Sequence, residues 1–104
     1  MERSGMRVLD RNWRHGRREL DLVALDGEVV AFVEVKTRRP GPQDPIEAVG
    51  WRKRREIRRA AEAWIHAHPR VGREFRYDVV GVVLGDDGPV VEHVPAAFRG
   101  EDAR

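Results

Sequence analysis

The segment Phe32-Val33-Glu34-Val35-Lys36 places two opposite charges inside an apolar run that favours a β-strand. Side chains at positions i and i+2 of a strand lie on the same face. Glu34 and Lys36 therefore share one face, and Val33 and Val35 share the other. Burying such charges costs free energy unless they are paired or hold a metal ion. The segment predicts a strand that carries a charged site on one side of a sheet.

A similar alternation occurs thirteen residues earlier, in Glu19-Leu20-Asp21-Leu22-Val23. An Asp followed on the next strand by Glu-x-Lys is the constellation of a metal-dependent phosphodiesterase. Mg²⁺ suits carboxylate oxygens, and it can lower the pKa of an attacking water and stabilise charge on a phosphate. Lys36 could orient or deprotonate that water, or neutralise the phosphorane. The alternative interpretation is a surface salt bridge between Glu34 and Lys36.

The connection between these two strands decides whether the acids converge. A two-residue turn at Asp26-Gly27 makes paired residue numbers sum to 53, whereas a four-residue loop makes them sum to 55 and places Asp21 directly opposite Glu34. Any odd sum puts both acids and Lys36 on one face, and an even sum separates them. Like charges across a ladder repel, so convergence predicts a cation between them.

Length and composition narrow the class of protein. A chain of 104 residues is expected to form one domain, which we place at residues 1–99, with a disordered tail at 100–104. The absence of cysteine excludes disulfides and thiolate metal sites and suits a reducing cytoplasm. No apolar run approaches the ~20 residues that span a bilayer, and no signal peptide is evident. We therefore expect a cytoplasmic protein without a membrane partner.

Positive charge is concentrated around the acidic strands although the net charge is only +2. Of the 20 basic residues only Lys36 and Lys53 are lysines, which leaves 18 arginines. Lysine at these two positions indicates a need for a compact ammonium group, with chance retention as the alternative. Basic flanks around a carboxylate site favour a phosphate backbone as partner. The candidate nucleic-acid contacts are Arg14, Arg17, Arg38, Lys53 and Arg55. An ordinary solvated helix face is the alternative for the helical ones.

The order of the elements predicts an α/β fold with a mixed five-stranded sheet flanked by a helix. The predicted strands are Met6–Trp13, Glu19–Leu25, Val29–Thr37, Phe75–Leu84 and Val90–Val94, with a short closing segment at Ala96–Arg99. The predicted helix is capped by Asp44, begins at Pro45 and runs to about Ala67, with a local bend at Gly50. Because the helix precedes the fourth strand, that strand should lie parallel to its neighbour.

The chain resembles the YraN-type family of uncharacterised bacterial proteins over roughly residues 7 to 99. The matching segments are Arg11-Asn12-Trp13-Arg14, Glu19-Leu20-Asp21-Leu22-Val23, Phe32-Val33-Glu34-Val35-Lys36-Thr37-Arg38, Ala48-Val49, Lys53, Ala61, Arg76-Tyr77-Asp78-Val79-Val80 and His93-Val94-Pro95-Ala96-Ala97-Phe98. Such proteins are assigned to the restriction-endonuclease-like superfamily, whose signature is Asp…Asp/Glu-x-Lys, and they resemble archaeal Holliday-junction resolvases. The resemblance implies a restriction-endonuclease-like sheet. Family members usually have a helix with a glutamate before the first strand, and from the resemblance we expect both to be missing here.

The resemblance also implies roles for individual residues. Asp21, Glu34 and the carbonyl of Val35 would bind Mg²⁺ or Mn²⁺, Lys36 would be the catalytic lysine, and Lys53 would contact a phosphate. Glu19 is a secondary candidate, since it faces Glu34 when paired numbers sum to 53.

Three functions stay open at this point. The first is a metal-dependent endonuclease acting on DNA, with branched DNA as a candidate substrate. The second is a nucleic-acid-binding module that keeps the fold without cutting. The third is an interaction protein whose charged cluster is a buried ion network. A homodimer is attractive because branched junctions are two-fold symmetric.

Overall fold

Five β-strands form one sheet in the order in which they occur along the chain. The computed structural model describes residues 5–41, 49–71 and 74–98, so the predicted tail at 100–104 lies outside the described residues. The elements are β1 (Arg7–His15), β2 (Arg18–Asp26), β3 (Val29–Arg38), α1 (Trp51–Ala67), β4 (Glu74–Gly85) and β5 (Gly88–Phe98). β5 is longer than predicted and includes residues 96–98, which we expected to form a separate segment.

The sheet is mixed, as the sequence predicts. β1, β2 and β3 pair antiparallel, β3 pairs parallel with β4, and β4 pairs antiparallel with β5. Parallel neighbours need a crossover connection, and α1 lies within the one that joins β3 to β4. The α/β class, the five strands and the parallel pair are therefore confirmed.

The turn between β2 and β3 lies one residue later than the predicted turn at Asp26-Gly27. Asp26 pairs with Val29, so the two turn residues are Gly27 and Glu28. Gly27 has φ +61°, in the left-handed region that glycine adopts without steric cost. Paired numbers therefore sum to 55 rather than 53, which is the register expected to bring Asp21 opposite Glu34.

The helix begins later than predicted. Gly50 is extended, with φ −68° and ψ 166°, and the first helical residue is Trp51. Glycine has a low helix propensity, so the predicted bend at Gly50 is a helix start instead. The predicted cap at Asp44 and Pro45 lies outside the described residues.

The main core lies between α1 and one face of the sheet. α1 contributes four buried side chains, Ile57, Ala60, Ala61 and Trp64. The Trp64 ring meets the Phe32 ring edge-to-face, with centroids 5.7 Å apart. Within the described residues, no helix combines the length and apolar character needed to cross a membrane.

A buried ionic network ties β4 to β5. Asp78 is fully buried and accepts hydrogen bonds from Arg76 Nε at 3.0 Å and from the amide of Ala96 at 2.9 Å. His93 Nε2 lies 2.9 Å from the same carboxylate. Arg76 also donates to Asp26 at 2.8 Å, which links β4 to the end of β2. The network satisfies a carboxylate that would otherwise be costly to bury.

Asp78→Asn should destabilise the protein by about 3 kcal/mol, because an amide cannot satisfy the donors of Arg76, His93 and Ala96 that surround this fully buried carboxylate. Urea denaturation followed by circular dichroism measures the loss. Asp87→Asn, at an exposed turn position, is the matched control and should change the free energy of unfolding by less than about 0.5 kcal/mol. A loss of under about 1 kcal/mol for Asp78→Asn would show that the network contributes little.

Candidate active site

Asp21 and Glu34 lie next to each other where the ladder between β2 and β3 ends. The last pair at this end of the ladder is Leu22 with Val33, so the two acids occupy the next position on each strand. The Asp21 carboxylate accepts a hydrogen bond from the Val35 amide, with Oδ2 2.9 Å from the nitrogen. This bond fixes the Asp21 side chain beside β3, where a backbone pair would otherwise continue.

Glu34 is a buried carboxyl group with an altered acidity. Its residue is only 6 % exposed, and its pKa is raised from 4.5 to about 7. Desolvation is the largest cause, followed by the charge of Asp21, and a hydrogen bond between the two side chains also raises the pKa. Lys53 and Lys36 act in the opposite direction. Burial and the neighbouring Asp21 therefore outweigh the effect of the two lysines on the Glu34 carboxyl group.

Lys53 reaches this site from the helix. Its Nζ lies 3.6 Å from Oε1 of Glu34, and its side chain is 38 % exposed. This contact directs the Lys53 ammonium group toward the sheet. Lys36 follows Glu34 on the same face of β3, and its charge also acts on that carboxyl group.

The donor set suits a hard divalent cation. Mg²⁺ is usually held by one or two carboxylates and keeps several waters. Asp21 and Glu34 supply two adjacent carboxylates. Burial, and after it the charge of Asp21, raises the pKa of Glu34, and a bound cation would act in the opposite direction. Within the described residues, no group of three His, Cys, Asp or Glu side chains is arranged to hold a metal. The Val35 carbonyl stays a predicted ligand.

The predicted basic residues divide between the site and other surfaces. Arg14 pairs with Glu19 at 3.4 Å, and both side chains are exposed on the β1–β2 hairpin. Glu19 therefore forms an ion pair with Arg14. In the observed register Asp21, and not Glu19, is adjacent to Glu34. Arg17 lies in the turn of the same hairpin.

Two further arginines lie on different elements. Arg38, at the end of β3, donates to the Gly41 carbonyl at 3.3 Å and contacts Glu92 at 3.5 Å. Arg55 lines a groove on α1 together with Trp51 and Arg59. Of the predicted set, the structure brings together Asp21, Glu34, Lys36 and Lys53.

Sequence reasoning missed the contacts that support the fold around this site. Trp64 Nε1 donates to Asp10 Oδ2 at 2.8 Å, which joins α1 to β1. Arg76 bridges Asp26 and Asp78, and the only local signal was the Arg-x-Asp spacing that places Arg76 and Asp78 on one face.

Glu34→Gln should stabilise the metal-free protein at high pH. The folded-state pKa of Glu34 is about 7 against 4.5 in the unfolded chain, so the folded state binds more protons between these values. The contribution of the Glu34 carboxyl group to the free energy of unfolding is fully present below about pH 4.5. It is lost as the pH rises through about 7. A pKa difference of about 2.5 corresponds to about 3 kcal/mol.

Denaturation of both proteins in EDTA at pH 4 and pH 8 measures this effect. The advantage of Glu34→Gln over the wild type should grow by about 3 kcal/mol between the two pH values. Glu28→Gln, at an exposed turn position, is the control and should show no such growth. An equal advantage at both pH values would contradict the raised pKa of Glu34.

Comparison with known proteins gives a consistent family. The model of "Uncharacterised protein family UPF0102" matches residues 1–82. A UPF0102 protein of Anaeromyxobacter dehalogenans is 50% identical over 98 residues, which cover 93% of this chain and 73% of that protein. A UPF0102 protein of Rhodococcus opacus is 44% identical over 97 residues, covering 91% and 82% of the two chains. The YraN-type resemblance is thus confirmed at the family level, and the chain belongs to the UPF0102 family.

Proposed function

We propose that this protein is a metal-dependent endonuclease that acts on phosphodiester bonds of DNA. The observation that carries the proposal is the pair of adjacent carboxylates in β2 and β3, where the ladder between these strands ends. Glu34 is buried there with a pKa of about 7, beside Asp21 and within reach of Lys53. Strongly perturbed acids with specific charge partners are more frequent at catalytic sites than elsewhere.

Mg²⁺ or Mn²⁺, when bound, would supply charge stabilisation at the phosphate and a more acidic water. Asp21 and Glu34 would hold the cation, together with the Val35 carbonyl. The hydrogen bond from the Val35 amide keeps the Asp21 carboxylate in position for this role. Lys36, on the same face of β3, would orient or deprotonate the attacking water. Lys53 would contact a phosphate oxygen once Glu34 is engaged by the cation.

The restriction-endonuclease-like assignment is part of the same proposal. It is supported by the mixed sheet and by the placement of the Asp and the Glu-x-Lys motif on neighbouring antiparallel strands. Branched DNA is the proposed substrate shape, on the strength of the resemblance to junction resolvases. We also propose a cytoplasmic location, which the cysteine-free composition suits. A homodimer belongs to the proposal too, because exposed apolar side chains such as Val90 and Val91 lie on the edge strand β5.

A binding module without cleavage is the second candidate. One observation favours it: among the described residues the two carboxylates have no third acidic or imidazole ligand. In that case the lysines and arginines would hold phosphates, and binding would weaken steeply with salt.

Cleavage of labelled linear, flapped and four-way-junction DNA in Mg²⁺, Mn²⁺ or EDTA tests the proposal. We expect product only with metal, and a loss of at least about 100-fold in rate for Glu34→Gln and for Lys36→Ala, since each removes a group needed in the transition state. Glu28→Gln controls for the removal of an exposed carboxylate and should cut like the wild type.

Thermal unfolding of each variant shows that a loss of rate is not a loss of fold. Product that forms in EDTA, or that persists in Glu34→Gln, would refute the assignment of the site. Salt-sensitive binding to all substrates without any metal-dependent product would establish the binding module instead.

A further inference from the structure

The outer face of α1 carries an exposed aromatic ring among arginines. Trp51 is 57 % exposed, which is unusual for a tryptophan in a small domain. The Arg52 guanidinium lies 5.6 Å from the centre of the Trp51 ring. This cation–π contact keeps the ring at the surface beside a positive charge.

Two open grooves meet along this helix. The first, of about 440 Å³, is lined by Trp51, Arg52, Arg55, Glu56 and Arg59. The second, of about 490 Å³, extends from Arg59 to the β1–β2 hairpin, where His15 and Arg18 line it. Because Arg59 lines both grooves, they form one continuous surface from the first turn of α1 to the hairpin.

Four arginines line this surface, Arg18, Arg52, Arg55 and Arg59, against two glutamates, Glu56 and Glu62. Arg59 lies 3.8 Å from Glu56, an exposed pair that contributes little. Within the described part of the chain, Arg52 and Arg55 have no ion pair. Positive charge on an open surface favours an anionic polymer as partner.

The surface lies across the helix from the carboxylate site. Successive helical residues are rotated by about 100°, so Trp51 and Lys53 lie on nearly opposite sides of α1. Lys53 contacts Glu34, and Trp51 therefore faces away from the sheet. A nucleic acid bound at the carboxylates would reach the Trp51 surface only by continuing around the first turn of the helix.

We propose that the outer face of α1 binds a single-stranded segment of nucleic acid, with Trp51 stacked on an unpaired base. This inference rests on the proposed function and names the form of the substrate. An exposed indole can stack on a base only when that base is not already stacked in a duplex. Arg55 and Arg59 are one turn apart, a rise of about 6 Å, which suits neighbouring phosphates of one extended strand.

Binding of a labelled single-stranded oligothymidylate of about twelve nucleotides, measured by fluorescence anisotropy in EDTA, tests the proposal. A blunt duplex of the same length is the comparison ligand. Trp51→Ala should weaken single-strand binding about tenfold or more and leave duplex binding within about twofold, because base stacking is lost only for the single strand. Trp51→Phe keeps an aromatic ring and should stay within about threefold of the wild type.

The arginines are tested by the salt dependence of single-strand binding. Arg55→Ala and Arg59→Ala should each reduce the slope of log affinity against log salt by about 0.7, as expected for one lost phosphate contact. Arg7→Ala, an exposed arginine at the far end of β1, is the matched control and should leave the slope unchanged.

Two results would overturn the proposal: wild-type affinity of Trp51→Ala for the single strand, or an equal loss for single strand and duplex. Metal is chelated throughout, so the outcome does not depend on cleavage. Single-strand binding that depends on Trp51, in a protein that does not cleave DNA, would support the binding surface and refute the nuclease function. Cleavage by the wild type together with normal single-strand binding by Trp51→Ala would support the nuclease function and refute the binding surface.

Discussion

The antiparallel register between β2 and β3 is the constraint on which the candidate site depends. Pairs that sum to 55 bring Asp21 beside Glu34 on the face that α1 covers. A slip of one residue would move every side chain of β2 to the other face and leave Glu34 without its acidic neighbour. The apolar residues Val23 and Phe32 pair within the same ladder and belong to the core under α1. Burial of these core residues therefore holds two mutually repelling carboxylates together.

Two buried acids of this sheet have contrasting surroundings. Asp78 pairs with Val33 in the parallel ladder, and Glu34 is the next residue on β3, so the two acids point to opposite faces. Asp78 is saturated by Arg76, His93 and a backbone amide. Glu34 has one lysine at 3.6 Å and an acid beside it. The Asp78 carboxylate is therefore satisfied by its neighbours in the fold, whereas burial and the adjacent Asp21 raise the pKa of Glu34.

Local patterns predicted the parts of this structure that local physics determines. Period-two alternation located β2 and β3, and it placed Glu34 and Lys36 on one face. The turn was wrong by one residue because Asp26-Gly27 and Gly27-Glu28 both offer a glycine with positive φ, and the choice depends on pairing along the whole ladder. In the Asp78 network only the pairing with Arg76 had a local signal, the i, i+2 spacing on β4, because the other members, Asp26, His93 and Ala96, come from other strands. The sequence could not decide whether Lys53 reaches the sheet, because that depends on how α1 packs against it.

The edge strand β5 has a consequence for how this molecule behaves at high concentration. An edge strand exposes backbone donors and acceptors to which a strand of another chain can pair. The exposed side chains of Val90 and Val91 would favour such pairing. Proline lacks an amide hydrogen, and β5 contains Pro89 and Pro95 on either side of these valines. Glu92, which lies between the two prolines, adds a charge to the strand. The edge thus offers only a short stretch for uncontrolled strand addition, so the chain can carry apolar residues there with a limited risk of aggregation.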